Sequence, residues 1–200
     1  MKKRGLYFLP MILLTVQVLA GSADSTATRH WCIPDHIKIQ FAGNIGFMSA
    51  GAGYGFAKNK FELDLMYGYV PPVYGGNLHT LTIKNTWIPI KSLYAGDRIK
   101  FDILTLGIPI SYTFGKQFFF VPPKDQYPSR YYDYSSALRF GFFAGGKVHY
   151  ELPGSCFREA GIYYELGTYD LLIHNYLFNK DSMRFGNLFS LALGVQFKLK

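Results

Sequence analysis

The chain has 200 residues, enough for one domain, and a formal net charge of +8. Charged residues are only 17% and aromatics 18%, with 21 glycines, whereas a soluble domain typically carries about 25% charged residues. That balance disfavours a soluble enzyme, and without a basic helix to concentrate the charge it argues against nucleic acid as a partner.

The N-terminus reads as an address. Lys2, Lys3 and Arg4 precede a mostly apolar run from Leu6 to Leu19, which small residues at Ala20 to Ala23 follow. A basic start, a short apolar core and a small-residue site make a cleaved secretory signal over 1–23, cut after Ala20 or Ala23. Pro10 and the short run weigh against a membrane anchor. The mature domain is then 24–200.

Alternation at a period of two follows, which predicts β-strands. The first strand is expected over Ile37 to Phe47, with Ile37, Ile39, Phe41, Ile45 and Phe47 on one face. The second runs from Ala50 to Phe56 and turns at Lys58-Asn59-Lys60 into the third, Phe61 to Tyr69. The fourth covers Leu78 to Ile88, and the fifth Phe101 to Phe114. In the fifth, Leu104 to Tyr112 alternate with Ile103, Thr105, Gly107, Pro109 and Ser111; Pro109 predicts a bulge or weak local pairing. A long connection over 115–135 precedes the sixth strand around Leu138 to Gly145. The seventh covers Glu159 to Gly167, and the last Phe189 to Lys200.

Eight such strands predict an all-β fold, an eight-stranded antiparallel up-and-down transmembrane β-barrel. A soluble lipocalin-like barrel shares the periodicity but places its apolar face inside. The second face here is rich in Gly, Ala, Ser and Thr, which suits a narrow filled interior better than a water-facing wall. The expected location is therefore the cell outer membrane, with outer-membrane lipid as the surrounding partner. With the N-terminus inside, the two longest connections, the fifth and the seventh, fall outside, as the usual asymmetry requires.

On signal, strand count and alternation, the chain resembles the superfamily of small outer-membrane β-barrels of Gram-negative bacteria, the OmpA-, OmpX- and PagL-like proteins. Members often end in an aromatic residue, whereas Phe197 here is followed by Lys198-Leu199-Lys200. The resemblance implies a structural or surface-interaction role without catalysis. It also implies a rival, an outer-leaflet lipid-modifying enzyme like the lipid A deacylases, which carry a late histidine and a serine two residues on. His174 occupies a similar place, but Tyr176 stands where that serine would be.

Lys38, Glu62, Asp64, Lys84, Arg139, Glu159, Glu165 and Lys198 fall on the predicted interior. Charges enclosed there must pair or stay hydrated, so a structural network is the plain expectation and a narrow conduit the alternative. His30, His36, His79 and His149 show no metal-ligand spacing, and no cofactor motif appears. The 115–135 connection is the expected contact for an extracellular ligand, through Phe119, Arg130, Tyr131 and Tyr132, because rigid aromatics with Arg anchor interfaces. The plainer expectation for the same stretch is that Phe118 to Phe120 merely extend the fifth strand above the membrane, with the tyrosines at the interface. Cys32 and Cys156 are expected to form a disulfide in an oxidising compartment, provided the segment before the first strand reaches across.

Overall fold

The structure is a computed structural model that describes residues 32–120, 135–153, 155–178 and 184–200. The strands are β1 (His36–Ala42), β2 (Met48–Phe56), β3 (Phe61–Val70), β4 (Leu78–Trp87), β5 (Leu93–Ala95), β6 (Ile99–Phe114), β7 (Leu138–Glu151), β8 (Phe157–Tyr169) and β9 (Ser190–Leu199). One helix, α1 (Asp170–Phe178), and two short 3-10 turns complete the described chain. Every pairing is antiparallel; the order β4-β3-β2-β1-β9-β8-β7-β6 closes on itself through β4–β6. The result is the expected closed eight-stranded barrel, in which no ring strand keeps an unpaired edge. The three-residue β5 lies outside the ring and pairs only with the start of β6, Leu93 opposite Phe101.

Local chemistry explains where the strands begin and end. The first strand stops at Ala42, not Phe47, because Ala42 (φ 57°) and Gly43 (φ 78°) turn the chain through the left-handed region. Ile45 consequently points inward and is buried, packed over Gly68, where any Cβ would collide with the Ile45 carbonyl at 2.3 Å. The tight turn between β2 and β3 places Ala57, Lys58 and Asn59 at φ 51°, 57° and 62°.

The register of β6 shifts against β7 between Asp102 and Thr105. That bulge changes the parity, so Ile103 points outward and is 54% exposed, contrary to its expected inward place. At Pro109 there is no bulge, and it sits opposite Lys84 within the β4–β6 ladder, but on the β7 side the ladder skips Ile108 and Pro109 between Gly107–Phe143 and Ile110–Phe140, the weak local pairing expected of a proline. β6 and β7 also extend farther than expected, starting at Ile99 and ending at Glu151.

The two faces of the wall differ sharply. Leu65, Ile83 and Ile162 are 54%, 52% and 65% exposed on the outside, while Lys38, Lys84 and Asp64 are 1% or less exposed within. One end of the barrel gathers the chain around 32–35 and the turns 57–60, 88–98 and 152–156. The other end gathers the connections 43–47 and 71–77 and the described edges of the two longest, 115–120 with 135–137 and 170–178 with 184–189, so the two longest leave and rejoin the wall at one rim, as expected.

The expected disulfide is absent. Cys32 and Cys156 are both exposed free thiols. They lie at the same end, but β9 separates the starts of β1 and β8. Two interstrand spacings of about 4.8 Å each exceed the ~7 Å limit between bridged Cα atoms.

Candidate functional site, a filled interior and a crevice at one rim

Period-two alternation sends every second residue of each strand into the barrel, and the charged ones meet at mid-height. On β1 and β3, Lys38 Nζ donates to Asp64 Oδ2 at 2.6 Å and to Glu62 Oε2 at 2.8 Å. His36 Nε2 lies 2.5 Å from Asp64 Oδ1. From β7 across the bore, Lys147 Nζ reaches the same Glu62 Oε2 at 2.5 Å, and Gln196 Nε2 donates weakly to Glu62 Oε1 at 3.4 Å. On the far wall, Lys84 Nζ donates to both Glu165 oxygens at 2.9 and 3.0 Å and to Gln40 Oε1 at 3.1 Å. The Tyr163 hydroxyl also donates to Gln40 Oε1, at 3.3 Å. Lys84 hangs 5.2 Å from the Tyr163 ring centre and 5.3 Å from that of Phe143, within cation–π reach.

Three lysines thus face three carboxylates, and the interior charge cancels. The network is also dense. The cavity beside Lys84 and Glu165 measures about 20 Å³, room for roughly one water. Toward the long-loop rim, Thr82, Ser111 and Tyr169 form a hydroxyl chain with links of 2.8 and 2.7 Å, and Asn44 and Ser190 are joined above them. Toward the opposite rim, Lys198 pairs with Glu159 at 2.8 Å. There Asp102 accepts from Ser92 Oγ at 2.5 Å and faces His149 Nε2 at 3.4 Å.

Of the eight charges expected inside, Lys38, Glu62, Asp64, Lys84, Glu165 and Lys198 are buried there. Glu159 is half-buried near the rim, and Arg139 sits half-buried at the opposite one. The sequence reading missed His36, Asp102, Lys147 and His149, all buried. Lys147 and His149 continue the alternation of Gly141, Phe143 and Gly145, a signal that was there to follow. His36, Glu62 and Asp64 bring three ligand atoms within 4.8 Å of one another, although their sequence spacing suggests no metal. The Lys38 ammonium already lies between the two carboxylates and supplies the cation.

The expected ligand loop is described only at its edges. Phe119 is half-buried, with its N–H bonded to Ser136 Oγ at 2.7 Å and its carbonyl accepting from Ser136 N at 3.0 Å. Its backbone is therefore stitched to the returning chain, but β6 ends at Phe114 and a turn at 115–117 follows, closed by Phe118 N–H on the Gly115 carbonyl, so Phe118 to Phe120 do not continue the strand as expected. Arg130, Tyr131 and Tyr132 lie outside the described residues.

The seventh connection departs from a plain loop. Asp170 opens α1, its Oδ1 accepting from Leu171 N at 2.8 Å, a favourable place for an anion. The helix lies against the outward Phe140 and Phe142 of β7, enclosing a crevice of about 330 Å³ that Arg139, Asp170, Ile173, His174 and Leu177 also line. The His174 ring packs 4.4 Å from that of Phe178, and Tyr176 packs near Phe185 instead of pairing with His174 as a nucleophile would. The wall also carries two apolar hollows of about 680 and 620 Å³ on its outer surface. Set beside known proteins, the chain finds no match among family models, curated proteins or solved structures.

Proposed function

We propose that this chain is a membrane-spanning barrel of the outer membrane with a closed interior, acting as a structural or surface-interaction protein rather than as an enzyme. One observation carries the reading. Side chains that seek water are buried inside, and the large apolar ones stand exposed around the outside. In water such a wall would be a single aggregation-prone patch; in lipid it is the expected exterior. A soluble lipocalin-like binder needs the opposite arrangement.

The filled bore supports a structural role over a conduit. The interior carboxylates are held by lysines and the cavity among them is water-sized, which leaves the outer wall and the long-loop rim as working surfaces. The lipid-modifying alternative rests on the crevice beside His174, and Tyr176 in the nucleophile position speaks against it. The test is fractionation. The protein should sediment with outer membranes and migrate differently in detergent gels before and after boiling. Recovery as a soluble periplasmic monomer overturns the reading. Loss of an acyl chain from lipid A that depends on His174 overturns the non-catalytic half of it.

A further inference from the structure

The barrel's exposed charge is unevenly spread between its two ends. The rim that gathers the turns 57–60, 88–98 and 152–156 exposes Lys58, Lys60, Lys91, Arg98 and Arg158, but only two side-chain carboxylates, Asp97 and Glu151, among the described residues. These cations form one arc, because backbone bonds clip their carriers side by side. Ile88 N donates to the Lys60 carbonyl at 2.8 Å, Glu151 N to that of Arg98 at 2.9 Å and Leu152 N to that of Arg158 at 2.9 Å. Arg158 Nε lies 3.4 Å from Glu159 Oε1. Lys58, Lys60, Lys91 and Arg98 make no side-chain hydrogen bond or ion pair among the described residues. The opposite rim has no such excess beyond the exposed Lys116 and Arg184. In the rest of its long connections, Lys124, Arg130 and Lys180 are matched in sequence by Asp125, Asp133 and Asp181.

Beside the arc the wall carries aromatic side chains. Phe61, next to Lys60, stacks on Trp87 at 6.4 Å and 10°, and Phe157, next to Arg158, packs 5.2 Å from Phe197. Trp87 and Tyr150 are exposed on the outer surface. Aromatic belts lie at the headgroup level of a bilayer, so cations one step beyond them stand where lipid phosphates are. We propose that this basic arc binds the headgroups of anionic phospholipid in the leaflet around its rim. The proposal rests on the membrane reading above and names the lipid class that one end of the barrel selects. Its logic is charge complementarity. Unpaired cations on backbone-clipped turns face an anionic surface, and each one near such a surface is worth roughly fivefold in affinity.

The full-length protein, refolded in detergent, is titrated with phosphatidylglycerol and its bound lipid counted by native mass spectrometry. Parallel titrations use phosphatidylcholine of the same chains and inorganic phosphate. The parent should retain phosphatidylglycerol in preference to phosphatidylcholine, and added salt should weaken that preference. Lys58→Gln, Lys60→Gln, Lys91→Gln and Arg98→Gln, combined, should raise the half-saturating phosphatidylglycerol concentration by roughly tenfold or more. The charge-keeping set Lys58→Arg, Lys60→Arg, Lys91→Arg and Arg98→Lys should hold it near the parent's value. Lys116→Gln with Arg184→Gln, at the opposite rim, should leave it unchanged. Heat-shifted migration establishes that each variant is folded. Equal retention of the two lipids by the parent, unchanged binding in the combined Gln variant, or retention of inorganic phosphate as tight as that of phosphatidylglycerol overturns the proposal. The barrel stays in its membrane in each case, because insertion into phosphatidylcholine vesicles is measured separately. A chain that never inserts into vesicles overturns both.

Discussion

Glu62 is the hub of the interior, and neutralising it tests whether the network holds the barrel together. In Glu62→Gln the side chain keeps its shape but loses its charge. Its Oε2 accepts from two lysines, at 2.8 Å from Lys38 and 2.5 Å from Lys147. Lys38 retains Asp64 at 2.6 Å. Lys147 retains only a 3.5 Å contact with Gln196 and is 3% exposed, so it becomes a buried cation without an anion. Removing one partner of a buried pair costs about 3–5 kcal/mol, or roughly two to four powers of ten in the folding equilibrium. The measurement is equilibrium unfolding in urea from lipid vesicles, followed by tryptophan fluorescence and by the heat-shifted gel band. The orphaned charge predicts its own rescue. Adding Lys147→Met should recover more than half of the loss, whereas adding Lys38→Met should recover little, because Lys147 stays unpaired and Asp64 is left with His36 alone. A cost below about 1 kcal/mol, the range of an exposed pair, or equal rescue by both second substitutions, would refute the reasoning.

Other consequences are as direct. Gly194→Ala puts a Cβ 2.3 Å from the Tyr163 ring, so that ring must leave Gln40; the overpacking should cost about 1–3 kcal/mol in the same unfolding assay. Ala57→Gly relieves a left-handed backbone (φ 51°) and should raise stability by up to about 1 kcal/mol, seen as a higher urea midpoint. In planar bilayers the purified protein should give no stepwise conductance, since the bore is filled; reproducible single-channel steps would contradict the geometry around Lys84 and Glu165.

Much of this barrel was legible because a period of two survives wherever a strand is straight. Glu62 and Asp64, or Glu165, could be placed inside from parity alone. Parity fails at a bulge, and Ile103 faces outward because the wall takes up an extra residue between Asp102 and Thr105. It also fails to mark a turn that preserves the count, so Ile45 and Phe47 looked like further steps of β1 although the chain reverses at Ala42 and Gly43. Lys147 and His149 were hidden because the charged stretch after Gly145 reads as a turn, whereas Asp102 lies inside the expected fifth strand and was given the outer face by the same bulge. The helix was hidden for another reason. The run from Leu171 to Phe178 is apolar around most of its circumference, so it has no periodic face to betray it, and only packing on Phe140 and Phe142 decides its form. The crevice, which needs residues from two elements that meet only in space, had no linear signature.

The two exposed thiols, described above as a missing bridge, also give the molecule a built-in compass. Cys32 and Cys156 stand at one rim, and the long connections stand at the other. A maleimide too polar to cross a membrane therefore meets both or neither on intact cells. With the N-terminus on the periplasmic side it should label neither until the outer membrane is permeabilised, and then both. For the membrane barrel proposed above, the direction of threading can thus be read from the native chain, with no engineered site.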